Sequence, residues 1–198
     1  MSKRAGFTIN HLGIHVHDLA AMKDFYTRAF DFTVTDEGPL PTEAGPVNIV
    51  FLSRSPQTHH QLALIQARPE KVEFNVVNQI SFLADSLETL LASYKKLVVE
   101  EGRVARSLSH GNALSFYIHD PEGNRLELFW NTPWYVVQPM VELMDFNQSP
   151  EVLLAQAEAH ARTLPGFKPR EAWVAEMAER MGVGAGTGAG VVPGVGVA

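Results

Sequence analysis

The sequence predicts an α+β fold built from two βαβββ modules. Three observations carry that prediction: an alternating strand pattern that runs into a capped helix, a second copy of it 68 positions later, and strand patterns after each copy. In the first copy, Leu12, Ile14 and Val16 alternate with His11, Gly13, His15 and His17. Side chains alternate across a strand, so the apolar set faces a core and the histidines face the other way. Asp18 then stands where a helix N-cap is needed, and Leu19, Met22, Phe25, Tyr26 and Ala29 recur at helical spacing. The second copy runs from Asn78 and Gln79 through Ile80 and Phe82, reaches a cap at Asp85-Ser86, and continues with Leu87, Leu90, Leu91, Tyr94 and Leu97. Asn10 aligns with Asn78, Leu19 with Leu87 and Tyr26 with Tyr94. Strand patterns at 47–53 and 60–66 complete the first module, and those at 103–108, 114–119 and 125–130 complete the second. The modules are expected at 7–68 and 76–131, within a domain spanning 7–139.

Two further helices are expected in a C-terminal extension, 140–181. Apolar residues recur at helical spacing before and after a break at Pro165-Gly166. From 182 to 198 the chain is nearly all Gly, Val and Ala, with no large side chain to bury, and is expected to be a disordered tail. A net charge of -6 with no long basic run argues against nucleic acid as a partner. No apolar run approaches the roughly 20 residues of a membrane span, and the N-terminus lacks a signal-peptide core, so a cytoplasmic protein is expected. The absence of cysteine excludes disulfides, thiolate metal ligands and a cysteine nucleophile. Any metal must be held by imidazole, carboxylate or amide oxygen.

The stretch from His110 to Trp130 contains the residue of greatest interest. Glu127 lies between Leu126 and Leu128, so it points away from the face those leucines bury. Taken alone it reads as the solvated acid of a half-exposed strand, just as His15 or His17 alone reads as a partly exposed polar residue. The repeat places Ala63, in Leu62-Ala63-Leu64, opposite it as its counterpart.

This pair of modules resembles the vicinal oxygen chelate superfamily, which includes extradiol dioxygenases, glyoxalase I, epimerases and antibiotic-binding proteins. The resemblance covers 10–139. It implies a cupped cleft around a divalent metal, with His11 at the position of the first ligand. Gln79 is the repeat counterpart of His11, which makes His11, Gln79 and Glu127 the implied inner shell. Glyoxalase-like members carry a fourth ligand, a carboxylate, at the position held here by Ala63, so the resemblance is closer to small single-domain extradiol enzymes. His59-His60-Gln61-Leu62 and the segment around His110, Asn112 and Tyr117 resemble motifs of that branch. They imply His60 as acid and base, with His110, Asn112 and Tyr117 meeting substrate or oxygen intermediates.

The implied activity is ring cleavage of a small aromatic diol with O₂ at a non-haem metal. Fe(II) suits the branch best, yet Gln79 stands where a second histidine is usual. Three readings follow: an enzyme with an altered iron site, an enzyme using another metal such as Mn(II), or a cleft that only binds an aromatic ligand. A metal-dependent lyase or isomerase is a further alternative. A homodimer is also expected from the branch.

Overall fold

The computed structural model describes residues 8–70 and 72–183. The first module comprises β1 (Leu12–His15), α1 (Leu19–Phe30), β2 (Thr33–Leu40), β3 (Val47–Ser53) and β4 (Leu62–Ile65). The second comprises β5 (Ile80–Leu83), α2 (Leu87–Tyr94) with a π-helical continuation at Lys95–Glu100, β6 (Arg106–Ser109), β7 (Ala113–His119) and β8 (Arg125–Asn131). The chain is therefore α+β with a doubled βαβββ unit. In each module the opening strand crosses over through its helix and pairs in parallel with the closing strand, β1 with β4 and β5 with β8. The first sheet has the order β1-β4-β3-β2. The second has β10-β6-β7-β8-β5, where β10 (Glu142–Leu143) is a short added edge.

The expected alternation governs the packing. Leu12, Ile14 and Val16 pack into the core while Gly13, His15 and His17 remain exposed. Asp18 accepts from Ala21 N at 2.9 Å and Ser86 accepts from Thr89 N at 3.1 Å, satisfying helix N-terminal amides at both caps. Met22, Phe25 and Tyr26 of α1 share one apolar cluster with Leu90, Leu114, Phe116 and Leu126 of the second module. Phe30 stacks on Phe82 with ring centroids 4.5 Å apart. Tyr26 donates to buried Asp120 at 3.0 Å, which removes two polar groups from the interface without leaving either unmatched. Glu122, in the β7–β8 turn, accepts from His17 N and Asp18 N at 2.6 and 2.8 Å and pairs with Arg68 at 3.0 Å. A turn of the second module thus fixes the point where β1 enters α1.

The strand β2 is the third strand that a βαβββ unit requires in the first module, and no sequence pattern marks where it lies. It lies at the edge of the first sheet, is mostly exposed, and contains Asp36, Glu37, Gly38 and Pro39, so it shows neither apolar alternation nor strand composition. Of the expected C-terminal helices, α3 (Pro150–Ala161) buries Leu153, Ala157 and Ala161 in the shared core, and α4 (Arg170–Met181) follows a ribbon formed by β9 (Trp134–Tyr135) and β11 (Lys168–Pro169). Gly111 has φ +73°, and a Cβ there would collide with Val136, so glycine lets the exit segment close over the start of β7. Residue 7, the expected start of the domain, and 184–198 of the expected tail lie outside the described residues.

Candidate functional site

Register brings one row of side chains together on the second sheet. Ser81 of β5 lies opposite Glu127 of β8, and Glu127 opposite Tyr117 of β7. Only 9% of Glu127 is exposed. Its Oε2 accepts from Gln79 Nε2 and Ser81 Oγ, each at 2.6 Å, and its Oε1 accepts from Tyr117 at 2.6 Å. His110 Nε2 lies 3.0 Å from the Tyr117 oxygen and 3.7 Å from Glu127 Oε1. The other ring nitrogen of His110 is 2.9 Å from the Met140 carbonyl, which can only accept, so Nδ1 carries a proton. Since Tyr117 donates to Glu127, its oxygen is left to accept from Nε2 when the imidazole is protonated. Burial, then the hydrogen bond to the Glu127 carboxylate, push the Tyr117 hydroxyl up to about 12. Tyr117 is consequently a hydrogen-bond donor at neutral pH and not a base.

A separate aromatic cluster lies on the first module. The rings of His11 and His60 are 4.2 Å apart, and Phe51 packs against His60 at 4.8 Å. His59 Nδ1 is 2.9 Å from His60 Nδ1, and His59 Nε2 is 2.9 Å from Asp36 of β2. Desolvation first, then the neighbouring His11 and His59, hold His60 below its ordinary value, which favours the neutral imidazole that a base requires.

The sequence-predicted residues thus fall into two groups. Gln79, Glu127, Tyr117 and His110 form one continuous network, whereas His11 makes its contacts with Asn10 and His60. Asn112 joins neither group: its carbonyl accepts from Thr132 N at 3.1 Å, and no side-chain bond ties it to the Glu127 network among the described residues. His15 borders a hollow of about 300 Å³ between β1 and the 68–77 connection. Sequence reasoning misses two members of the Glu127 neighbourhood, Ser81 and Arg125, and one of the first-module cluster, Asp36 beside His59. Ser81 was legible in principle, because it sits two residues after Gln79 on the same strand face. Arg125 donates to the amide oxygens of Asn78 and, at 3.0 Å, Gln79, and its guanidinium lies 5.3 Å from the Tyr117 ring centroid.

The donor set suits a divalent cation in kind. Glu127 is a buried carboxylate whose closest partners are an amide and two hydroxyls, with no Lys or Arg ion pair among the described residues, so its charge lacks a fixed cation. No three His, Cys, Asp or Glu side chains among the described residues form a group that could hold a metal ion. An inner shell must therefore draw on Gln79, whose amide presents nitrogen to Glu127 and oxygen to Arg125 and would have to exchange those ends to ligate.

Comparison with known proteins places this architecture. Residues 8–128 match the model of the glyoxalase/bleomycin resistance protein/dioxygenase superfamily. The chain belongs to that family. The trivalent organoarsenical cleaving enzyme of Bacillus sp. (strain MD1) is 27% identical over 126 residues, 61% of this chain and 71% of that enzyme. A glyoxylase/bleomycin resistance protein/dioxygenase domain from Frankia sp. EAN1pec shares the fold with a TM-score of 0.53 at 15% identity, covering 65% of this chain and all of that one. The fosfomycin resistance protein FosX of Listeria monocytogenes, solved with Mn(II) and sulfate, matches with a TM-score of 0.47 at 17% identity over 66% of this chain and 95% of its own. Enzymatic activity is represented among the relatives by the organoarsenical cleaving enzyme. No helix among the described residues is long and apolar enough to cross a membrane.

Proposed function

We propose that this protein is an extradiol-type dioxygenase that opens a small aromatic diol with O₂. The observation that carries the reading is the His110–Tyr117–Glu127 chain, a relay of proton donors ending on a buried carboxylate. His11, Gln79 and Glu127 would hold Fe(II), or Mn(II) in its place. Such a metal supplies a Lewis-acidic centre at which diol and O₂ can meet. The chain's own residues do the rest. Neutral His60 takes a hydroxyl proton from the diol, and Phe51 beside it offers an aromatic wall. Tyr117 keeps its one proton on Glu127 Oε1 and so orients that carboxylate, and the imidazolium form of His110, beside the Tyr117 oxygen, is the donor for the oxygen that gains negative charge.

The organoarsenical-cleaving relative favours a second reading, cleavage of a carbon–arsenic bond. Trivalent arsenic is soft and prefers thiolate ligands, and this chain has no cysteine to offer one, so the diol remains the first reading. The test is to load the purified protein anaerobically with Fe(II) or Mn(II), measure bound metal, and follow O₂ uptake and ring-fission absorbance with a panel of catechols. Metal-dependent uptake with ring opening supports the proposal. Bound metal with cleavage of a trivalent organoarsenical and inert catechols would replace it by the second reading. Failure to bind metal, together with catechol binding but no turnover, would make the protein a binding module.

A further inference from the structure

We propose that a hollow on the second sheet is a binding subsite for the anionic head of a small organic acid with an apolar body. The hollow has a volume of about 530 Å³ and lies on the sheet face that carries Tyr117 and Glu127. Its polar lining is cationic or imidazole: Arg106, Arg125, His110 and His119, with Tyr117 among them and no Asp or Glu. Register explains the arrangement. Arg106 lies opposite Tyr117, and His119 opposite Arg125, so two arginines approach the same tyrosine from β6 and β8. Glu127 is the nearest acid in that register, but both its oxygens are engaged by Gln79, Ser81 and Tyr117.

Such a lining runs against the composition, since the chain as a whole carries a charge of -6. Four other arginines find carboxylates: Arg28 and Arg103 hold Glu101, Arg68 holds Glu122, and Arg162 holds Glu158, whereas among the described residues Arg54, Arg170 and Arg180, none of which lines the hollow, do not. Among the described residues, Arg106 and Arg125 have no such pair. Arg125 makes do with two neutral amide oxygens, and its Nε is buried without an acceptor. A guanidinium so placed keeps its charge, because its pKa is too high for neutralisation, and retains its preference for a bidentate oxyanion. The aliphatic side chains of Val104, Leu108 and Val141 supply the rest of the wall, suited to an apolar body rather than to inorganic phosphate. The carboxylate and the phosphonate share this chemistry.

The subsite is independent of metal and turnover, so its test uses binding alone. Phenylphosphonate, phenylacetate, inorganic phosphate and neutral benzyl alcohol are titrated into the full chain by calorimetry, while the ring protons of His110 and His119 are followed by NMR. One or both organic acids should bind saturably and move both histidines, and should bind more tightly than phosphate or the alcohol. Arg106→Gln, a change at an exposed position, should weaken the organic acid by about tenfold, the worth of one charge-assisted hydrogen bond. Arg125→Gln should do the same, and unperturbed histidine spectra in the free variants certify that each still folds. Equal binding of acid and alcohol, no saturable binding of either acid, or Arg106→Gln binding like the parent, would overturn the proposal.

Discussion

The two modules share a topology and differ in what they place on one row of their sheets. In the first, Gly13, Ala63 and Phe51 lie side by side across β1, β4 and β3. In the second, the equivalent row is Ser81, Glu127 and Tyr117. Residues on either side of each row do the same work in both: Leu62 and Leu64 are buried around Ala63, and Leu126 and Leu128 around Glu127. Alternation along a strand separates the two jobs. One face is constrained by packing against helices, while the other is free to diverge, and a doubled fold can keep a plain half and a polar half.

The sharpest way to break this comparison is to make the polar row plain. Glu127→Ala reproduces the residue of the first module and should abolish both metal binding and turnover. Ala63→Gly, on the plain row, should leave bound metal near the parent level in elemental analysis. Retention of metal and activity by the Glu127 variant would remove the second row from the chemistry. His60 tests whether the first module contributes at all. His60→Gln should retain metal but lose turnover by about 10²–10⁴-fold, the usual contribution of one acid–base group. Because His60 lies below its ordinary 6.5 and must be neutral to act, the acid limb of the parent's rate profile should fall below pH 6.5 and vanish in the variant.

The packing face makes the opposite prediction, of symmetry. Leu64→Ala and Leu126→Ala each empty a fully buried site and should destabilise by about 2–5 kcal/mol in urea titrations. A large effect in one module only would mean that the halves do not share one core.

The same division explains what could be read from the sequence. The opening strands, both first helices and the closing strands were legible because their buried residues keep a period of 2 or 3.6. Edge strand β2 was hidden because exposure frees it from that period, and β9, β10 and β11, at two residues each, are too short to show one. At the candidate site, Glu127, Tyr117 and His110 stood out through motif and repeat. Arg125 did not, because its meaning depends on the absence of a carboxylate partner, a property of tertiary neighbours. The position of His11 beside His60 likewise depends on how the 59–61 segment turns into β4, which periodicity does not encode.

The finest test removes a single oxygen from the polar row. Tyr117→Phe leaves the ring in place but deprives Glu127 Oε1 of its 2.6 Å donor. A buried carboxylate short of one hydrogen bond should cost about 1–3 kcal/mol at neutral pH. The alkaline side should move the other way. With its folded value raised from 10.0 to about 12, Tyr117 binds its proton more tightly folded than unfolded, so its contribution is complete below pH 10 and falls away as pH rises towards 12. The parent should therefore lose more stability than Tyr117→Phe between pH 10 and 12, and the gap between the two should narrow. A constant gap across that range, measured by urea unfolding at each pH, would mean that Tyr117 does not keep its proton against Glu127. The polar row would then lose the donor that distinguishes it from Phe51 in the other module.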